Sequence, residues 1–315
     1  MTGIREKHLV FLGGGTGLSV LLKGVKCYTD QITAIVTVSD DGGSSGILRQ
    51  ELGIVAPGDV RNCLVALAET ETLMEQLFQH RFNYGDTLQG HSLGNLLLAG
   101  MTEITGDFAS AIKKISQVLA VRGKVLPSTL NNVHLGAIMT DKSVIYGETA
   151  IRECEQKIEK LFLVPEKCSA VKDAIDSIYE ADVVVLGPGS LYSSLIPNLL
   201  VEDIREAVTQ TAGKRVYVSN IMTEKGETDQ YTAADHVRTL NSYLQTNCID
   251  YVIVNQAPID PTRLSRYEME SAQPVDPCIE ELKGMGIEVL AGDLLSHSPL
   301  AWHDSQRLAH LIMSI

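Results

Sequence analysis

Short apolar runs alternate with amphipathic stretches along most of the chain, and no other feature restricts its fold so strongly. Two of these runs, ITAIVTV at 32–38 and DVVVL at 182–186, are rich in β-branched residues, which favour strands. Continuous apolar strands separated by amphipathic helices are typical of a parallel sheet covered by helices on both faces. We therefore predict an α/β fold with a mostly parallel, doubly wound central sheet. Its strands are expected at 8–12, 32–38, 182–186, 215–219, 250–255 and 287–290.

Helical patterns lie between and after these strands. They are expected at 18–24, 59–69, 72–80, 94–104, 107–119, 170–180, 201–211, 233–245 and 305–313. A less regular, β-rich stretch at 133–140 and 143–146 predicts a small insert that contains a hairpin. Because the chain has no long linker, low-complexity tract or repeat, we expect a single domain over residues 1–315.

Charge and composition restrict the partners. A net charge of −13 argues against sequence-independent binding of DNA or RNA, which requires a basic surface. The apolar runs at 9–12 and 183–186 are far shorter than the roughly 20 residues of a membrane-spanning helix. The six cysteines form no CxxC pair, as expected of reduced thiols. We expect a cytoplasmic protein without membrane insertion, and the sequence leaves open whether it is a homo-oligomer.

The most distinctive local motif is a glycine-rich segment, GGGTG, after the first predicted strand. It comprises Gly13, Gly14, Gly15, Thr16 and Gly17. Glycines let backbone N–H groups approach a ligand, and a helix N-terminus favours an anion, so the motif predicts a phosphate-binding loop. It lacks the Lys-Ser/Thr of a P-loop, and Leu18 replaces the last glycine of the dinucleotide fingerprint, which argues against a NAD-dependent dehydrogenase. The alternative is a tight turn without a ligand.

Two adjacent carboxylates, Asp40 and Asp41, follow the second predicted strand. They lie where a doubly wound nucleotide site places its ribose-binding acid, and they also offer oxygen ligands suited to Mg²⁺. Gly42, Gly43 and Ser44 begin a GGSSG run that predicts a second backbone cradle for an anion. The alternative is a solvated acidic turn.

Two further segments carry polar side chains beside predicted helices. In PGDVRNC, Asp59 is expected to cap a helix, with Arg61 and Asn62 in its first turn. Arg61 is either a phosphate contact or part of a structural ion pair. In GHSLGN, His91 and Asn95 share a face if the helix starts by His91. His91 is then either a general acid or base, or a structural residue.

A second strand, glycine loop and helix start occurs in ADVVVLGPGSLYSS. Its loop contains Gly187, Gly189 and Ser190 and predicts a cleft at a switch point of the sheet. Asn220 and Asn255 directly follow later strands, where they are plausible ligand contacts, although asparagine commonly ends strands in any case. The plain expectation at the C-terminus is that Asp304 or Ser305 is the N-cap of the last helix. No nucleophile arrangement stands out, since the chain has no GxSxG elbow.

Taken together, these motifs resemble the YvcK-like gluconeogenesis factors, bacterial relatives of the 2-phospho-L-lactate transferase CofD. The segments that carry the resemblance are GGGTG, TVSDDGGSSG, PGDVRNC, GHSLGN, ADVVVLGPGSLYSS and YVSNIMTEKGETDQYTAADHV. The resemblance spans nearly the whole chain, in order. It implies a Rossmann-like three-layer sandwich with a small β-containing insert. It also implies a protein that binds a UDP-sugar such as UDP-N-acetylglucosamine and is linked to growth on gluconeogenic carbon sources and to cell shape.

The resemblance assigns the segment from Gly13 to Gly17 to the nucleotide site. Residues implied to line the same cleft are Arg61, Asn62, His91, Asn95 and the loop 187–190. Two functions remain open: a non-catalytic UDP-sugar-binding regulator, and a transferase that acts with Mg²⁺ on a nucleotide-diphosphate-linked substrate. In the transferase, Asp40 and Asp41 would serve the metal or the acceptor, and His91 is a further catalytic candidate. The YvcK-like branch often has a basic residue before the C-terminal His-Asp, where this chain has Trp302.

Overall fold

The chain forms ten strands within residues 6–69, 72–268 and 271–315, which the computed structural model describes. The strands are β1 (Leu9–Gly13), β2 (Ile32–Val36), β3 (Lys124–Pro127), β4 (His134–Met139), β5 (Val144–Tyr146), β6 (Ile158–Val164), β7 (Val183–Leu186), β8 (Lys214–Val218), β9 (Tyr251–Asn255) and β10 (Glu288–Gly292). Seven of them form one sheet in the order β10-β9-β8-β7-β1-β2-β3, in which all neighbours are parallel. The predicted mostly parallel α/β sheet is confirmed.

Helices connect these strands. They are α1 (Gly15–Val25), α2 (Gly43–Leu52), α3 (Gly58–Leu67), α4 (Thr72–Gln79), α5 (Leu93–Thr105), α6 (Phe108–Val118), α7 (Glu148–Glu153), α8 (Lys172–Glu180), α9 (Ile196–Leu199), α10 (Glu202–Gln210), α11 (Ala233–Leu244), α12 (Pro261–Glu268), α13 (Ile279–Gly284) and α14 (Ser305–Ser314), with a π-helical turn at Leu191–Leu195. One group, α1, α3 and α14, packs together, and α8, α10 and α11 form another. Every residue of β1, β2 and β7 is buried, as a sheet covered on both faces requires.

The remaining three strands form a small antiparallel sheet in the order β5-β4-β6. It corresponds to the predicted hairpin-containing insert, and α7 lies between β5 and β6 in the chain. We call β4, β5, α7 and β6 the small-sheet unit.

Several elements were not predicted from the sequence. They are β3, β6, α2, α7, α12 and α13. In β6, charged Glu159 and Lys160 interrupt the apolar run because that part of the strand is exposed. The glycines that open α2 are poor helix formers, so they suggested a loop.

The topology changes direction at β1. From β1 the chain adds β2 and then β3 on one side, and β7, β8, β9 and β10 follow on the other. The boundary between β1 and β7 is therefore the switch point of the sheet, where loops at the carboxyl ends of the strands diverge and leave a crevice. Both glycine-rich segments follow these two strands, as predicted.

No helix in the described ranges is long and apolar enough to cross a membrane. All six cysteines are free thiols.

Candidate functional site

The first glycine-rich segment forms the end of β1 and the first turn of α1. The helix begins at Gly15, earlier than the predicted start near Leu18, and Gly14 is its N-cap residue. Gly15 has φ of +66°, a conformation that other residues rarely adopt. Gly14 has no side chain with which to cap this end, and the Asp59 carboxylate accepts a hydrogen bond from the Gly15 N–H. The first turn therefore presents backbone N–H groups that lack intrahelical partners, where a phosphate is favoured.

Neighbouring groups approach this turn so closely that it requires glycine. A Cβ added at Gly17 would lie 2.8 Å from the carbonyl oxygen of Pro188, and one added at Gly14 would collide with the Asp59 carboxylate. The loop after β7 thus lies directly against the start of α1. The structure brings the two glycine-rich segments together.

An open cavity of about 740 Å³ lies against this turn. The first-turn residues Gly15, Thr16 and Gly17 form part of its wall, together with the loops after β7 and β8 and the segment before α14. Other lining residues include Ser190, Asn220, Lys225, Trp302 and His303. The cavity is therefore the crevice expected at the switch point.

Protein side chains engage the second glycine-rich segment. The Gly189 N–H donates to Asn220 Oδ1 at 3.2 Å, and Asn220 Nδ2 donates to the Gly189 carbonyl at 3.0 Å. The Tyr192 N–H donates to Glu227 Oε2 at 3.1 Å, where the π-helical turn starts. Gly189 lines the cavity, whereas Gly187 lies outside its lining. This loop shapes the wall, and its Gly189 amide is already paired.

The adjacent carboxylates after β2 have different partners. Asp40 Oδ1 accepts a hydrogen bond from the Gly42 N–H at 2.9 Å. Asp41 Oδ1 accepts hydrogen bonds from the N–H and the hydroxyl of Thr149, at 3.0 and 2.8 Å. Asp41 therefore anchors α7, while Asp40 stays with the loop that precedes α2.

The GGSSG run, for which a second backbone cradle was predicted, forms the start of α2. Gly42 is the N-cap residue, and Gly43 has φ of +44°. Arg49, on the same helix, is buried and donates to the carbonyls of Ser39 at 2.9 Å and Asp40 at 3.0 Å. It holds the acidic loop in place. Sequence analysis missed Arg49 because a single arginine in a helix gives no sign of its burial.

The prediction that Asp59 caps the helix that follows it is wrong. α3 begins at Gly58 with Pro57 as its N-cap residue, so Asp59 lies inside the first turn. Burial and, next, the Asp40 charge raise the pKa of Asp59 to about 6, although a hydrogen bond from the Gly15 backbone opposes this. Asp59 thus links the start of α3 to the glycine-rich turn.

Arg61 is buried, and its hydrogen-bond partners are neutral polar groups. Its Nη1 donates to Asn95 Oδ1 at 3.1 Å and also to Ser92 Oγ, and its Nη2 donates to Asn62 Oδ1 at 2.8 Å. These partners are side-chain oxygens of α3, of α5 and of the α5 N-cap. The guanidinium therefore joins α3 to α5.

His91 does not share a helix face with Asn95, because α5 begins at Leu93 with Ser92 as its N-cap residue. A third residue joins them instead. Ser44 Oγ lies 3.0 Å from His91 Nδ1 and 3.1 Å from Asn95 Nδ2. The first turn of α2 thus brings both predicted residues into one cluster.

The small-sheet unit contributes two residues that sequence analysis missed, Glu148 and Arg152. Burial and then the charges of Asp40 and Asp59 raise the pKa of Glu148 to about 9. Arg152 lines the cavity one helical turn later. Their spacing places both on one face of α7, but nothing local indicates that this helix reaches the sheet edge.

Glu224 and Glu227 were also missed, although both lie in the quoted segment YVSNIMTEKGETDQYTAADHV. Glu224 lines the cavity, and burial together with Glu224 raises the pKa of Glu227 to about 7. Asn220 Nδ2 donates to Glu224 Oε1 at 3.1 Å. These acids reinforce the wall beside the second glycine-rich segment.

Residues 9–295 match the family described as 2-phospho-L-lactate transferase CofD. The chain belongs to the CofD family. It is 52% identical over 314 residues to the gluconeogenesis factor of Bacillus subtilis (strain 168), with 99% of each chain covered. It is 48% identical over 311 residues to the gluconeogenesis factor of Halalkalibacterium halodurans, covering 98% of this chain and 97% of that one. A crystal structure of a UPF0052 family member from Bacillus halodurans matches with a TM-score of 0.95 and 47% identity, covering 98% of this chain and 100% of that one.

At the C-terminal wall of the cavity, this CofD-family chain carries Trp302 and His303. His303 is buried, its Nε2 has no hydrogen-bond partner in the described ranges, and burial lowers its pKa to about 4. It is therefore uncharged near neutral pH. Trp302 remains 44% exposed. Asp304 caps α14, as predicted, by accepting from the N–H groups of Gln306 and Arg307.

The transferase branch of the CofD family implies a divalent metal. Among the residues that the structure describes, no group of three or more His, Cys, Asp or Glu side chains is arranged to hold one. Thr149 engages Asp41, so Asp40 is the member of the predicted pair better placed to bind a cation. Mg²⁺ often takes one or two carboxylates together with substrate phosphates and water. Asp40 could therefore bind Mg²⁺ only together with substrate phosphates and water.

Proposed function

We propose that this chain binds a nucleoside-diphosphate sugar, such as UDP-N-acetylglucosamine, in the cavity between β1 and β7. The observation that carries the proposal is the start of α1, where Gly15, Thr16 and Gly17 line that cavity and the N-cap residue Gly14 has no side chain to cover them. Its backbone N–H groups and helix dipole favour the diphosphate.

The rest of the cavity suits the same ligand. Its volume of about 740 Å³ lies within the range of small-molecule sites. Arg152 and Lys225 supply positive charge for phosphate oxygens. The partly exposed Trp302 ring offers a stacking surface for a base, and the uncharged His303 ring forms part of the wall beside it.

We further propose that the protein is a non-catalytic regulator linked to growth on gluconeogenic carbon sources and to cell shape. The names of the Bacillus subtilis and Halalkalibacterium halodurans relatives support the link to gluconeogenesis. In this role the ligand would report on the supply of nucleotide sugars.

The alternative is a transferase that acts with Mg²⁺ on a nucleotide-diphosphate-linked substrate. The acidic groups Asp40, Asp59 and Glu148 favour it, because their negative charges repel one another and a bound cation would reduce that repulsion. In this reading Asp40 would hold the metal, which would stabilise phosphate charge.

Calorimetry with UDP-N-acetylglucosamine, with and without Mg²⁺, tests the main proposal. We expect saturable binding that weakens roughly tenfold in Arg152→Gln, which removes one charged hydrogen bond. Lys157→Gln, which alters an exposed residue outside the cavity lining, is the matched control. Absence of heat at millimolar ligand would contradict the proposal. Mass spectrometry of the same mixtures with candidate acceptors separates binding from turnover, because a changed donor would establish the transferase.

A further inference from the structure

Four polar side chains from three helices and the segment before α5 form a continuous hydrogen-bonded chain. Arg61 Nη1 lies 3.1 Å from Asn95 Oδ1, Asn95 Nδ2 lies 3.1 Å from Ser44 Oγ, and Ser44 Oγ lies 3.0 Å from His91 Nδ1. All four residues are buried. We call this chain the Arg61–His91 relay.

The chemistry of Arg61 sets the direction of every bond in the relay. A guanidinium has only donors, so the Asn95 atom that faces it must be the carbonyl oxygen. The other Asn95 atom is then the amide nitrogen, which donates to Ser44 Oγ.

The Ser44 hydroxyl must donate a hydrogen bond to a further acceptor. Its oxygen already accepts from Asn95, and the one remaining partner in the described ranges is His91 Nδ1. If Nδ1 donated instead, the buried Ser44 hydroxyl proton would have no acceptor, which is unfavourable at 4% exposure. In the fully satisfied arrangement Ser44 donates and Nδ1 accepts, so the ring proton of neutral His91 lies on Nε2.

The remaining ring nitrogen is available to a ligand. His91 Nε2 forms no hydrogen bond with the described residues, and it is not sealed in the interior, since it is absent from the buried atoms that lack a partner. Ser44 is the second residue of α2, whose first turn has no side-chain cap in the same ranges. Through Ser44 the His91 ring therefore lies beside the first turn of α2 and outside the lining of the cavity at α1.

We propose that Arg61, acting through Asn95 and Ser44, fixes the proton of His91 on Nε2, so that His91 donates a hydrogen bond to an anionic ligand oxygen. Arg61, Asn95 and Ser44 are positioning residues in this scheme. His91 is a donor and not a general base, because Ser44 occupies its only proton-accepting nitrogen. The role as ligand donor goes beyond the proposed function, because His91 lies outside the lining of the cavity beside α1. The position of the proton is a property of the ligand-free protein.

Nitrogen NMR of protein labelled with ¹⁵N-histidine measures that position directly. The chain has eight histidines, and His91→Asn identifies the His91 signals by their loss. We expect the Nε2–H tautomer in the wild type. In Asn95→Asp the carboxylate still accepts from Arg61 but takes the Ser44 proton, so Nδ1 of His91 should become protonated. A wild-type Nδ1–H tautomer, or an unchanged tautomer in a folded Asn95→Asp variant, would overturn the relay.

Inorganic pyrophosphate probes the donor role. We expect it to shift the wild-type Nε2 resonance, and His91→Asn to weaken pyrophosphate binding roughly tenfold. His91→Gln, whose amide nitrogen replaces Nε2, should restore most of the affinity. The exposed His310→Asn is the matched control. No response of His91 to millimolar pyrophosphate, or equal affinity of His91→Asn and wild type, would overturn the donor role. Failure of UDP-N-acetylglucosamine to bind would contradict the proposed function alone.

Discussion

The carboxylate of Asp41 holds the first turn of α7 through Thr149, whose N–H and hydroxyl both donate to Asp41 Oδ1, at 3.0 and 2.8 Å. This contact joins the loop after β2 to the small-sheet unit. It thereby fixes the helix that carries Glu148 and Arg152 beside the cavity.

Replacing Asp41 should loosen that attachment. We expect Asp41→Ala to lower the free energy of unfolding by about 1 kcal/mol, the usual effect of losing a helix-capping acceptor, and to weaken ligand binding through Arg152. Urea unfolding and calorimetry measure the two effects. Asp41→Asn keeps one acceptor oxygen and should retain most of the stability. Equal stability of Asp41→Ala and wild type would show that the contact does not hold α7.

Glu148 should make the protein less stable as the pH rises. Its folded pKa of about 9 exceeds the ordinary 4.5, so between these values the folded protein retains a proton that the unfolded chain releases. Glu148 therefore does not lower the free energy of unfolding below pH 4.5, and it lowers it increasingly up to about pH 9. Glu148→Gln should therefore be more stable than wild type near pH 8, by on the order of 1–3 kcal/mol, and similar to it near pH 4.5. Thermal unfolding of both proteins across this pH range tests the expectation. A constant difference in stability between Glu148→Gln and wild type at all pH values would contradict it.

Gly17 should not tolerate a side chain. Because a Cβ would lie 2.8 Å from the Pro188 carbonyl oxygen, we expect Gly17→Ala to destabilise the protein by about 1–3 kcal/mol and to narrow the ligand cavity. Gly100→Ala is the control, since it lies inside α5 with nothing within 4 Å of the added carbon. That change should stabilise the protein by about 0.5–1 kcal/mol. Chemical denaturation compares the two variants. A Gly17→Ala variant as stable as wild type would show that the start of α1 and the loop after β7 separate readily.

His303 should remain uncharged in the folded protein at mildly acidic pH. Burial lowers its pKa to about 4 from the ordinary 6.5, so the stability it contributes is present above pH 6.5 and is lost as the pH falls towards 4. We expect its NMR signals to stay constant from pH 8 to about pH 5 in the folded protein, and to titrate near 6.5 in urea. Titration near 6.5 in the folded state would mean that water reaches the ring.

Much of the fold could be predicted because its signals are local. The apolar run at 182–186 and the β-branched run at 32–38 indicated buried strands, which the structure places as β7 and β2 beside β1. Other elements gave weaker signals. The exposed charges of β6 broke its pattern, and the glycines of α2 suggested a loop although they open a helix.

The candidate site was predictable only in part. The sequence placed two glycine-rich segments after strands, and parallel strands bring such segments to one edge of a sheet. It could not show that the Gly189 amide is paired with Asn220, or that Asp59 lies against Gly14 instead of capping α3. Those facts depend on which loops pack together.

The sequence by itself determined the parallel α/β sheet, the switch point and the glycine-rich turns, because periodicity and backbone freedom are properties of neighbouring residues. Tertiary structure alone decided which polar groups became partners. Asp41 and Thr149 are separated by 108 positions, and Arg61 reaches His91 only through Asn95 and Ser44. A hydrogen bond needs its two atoms within about 3 Å, and only the folded chain determines which distant side chains meet at that distance.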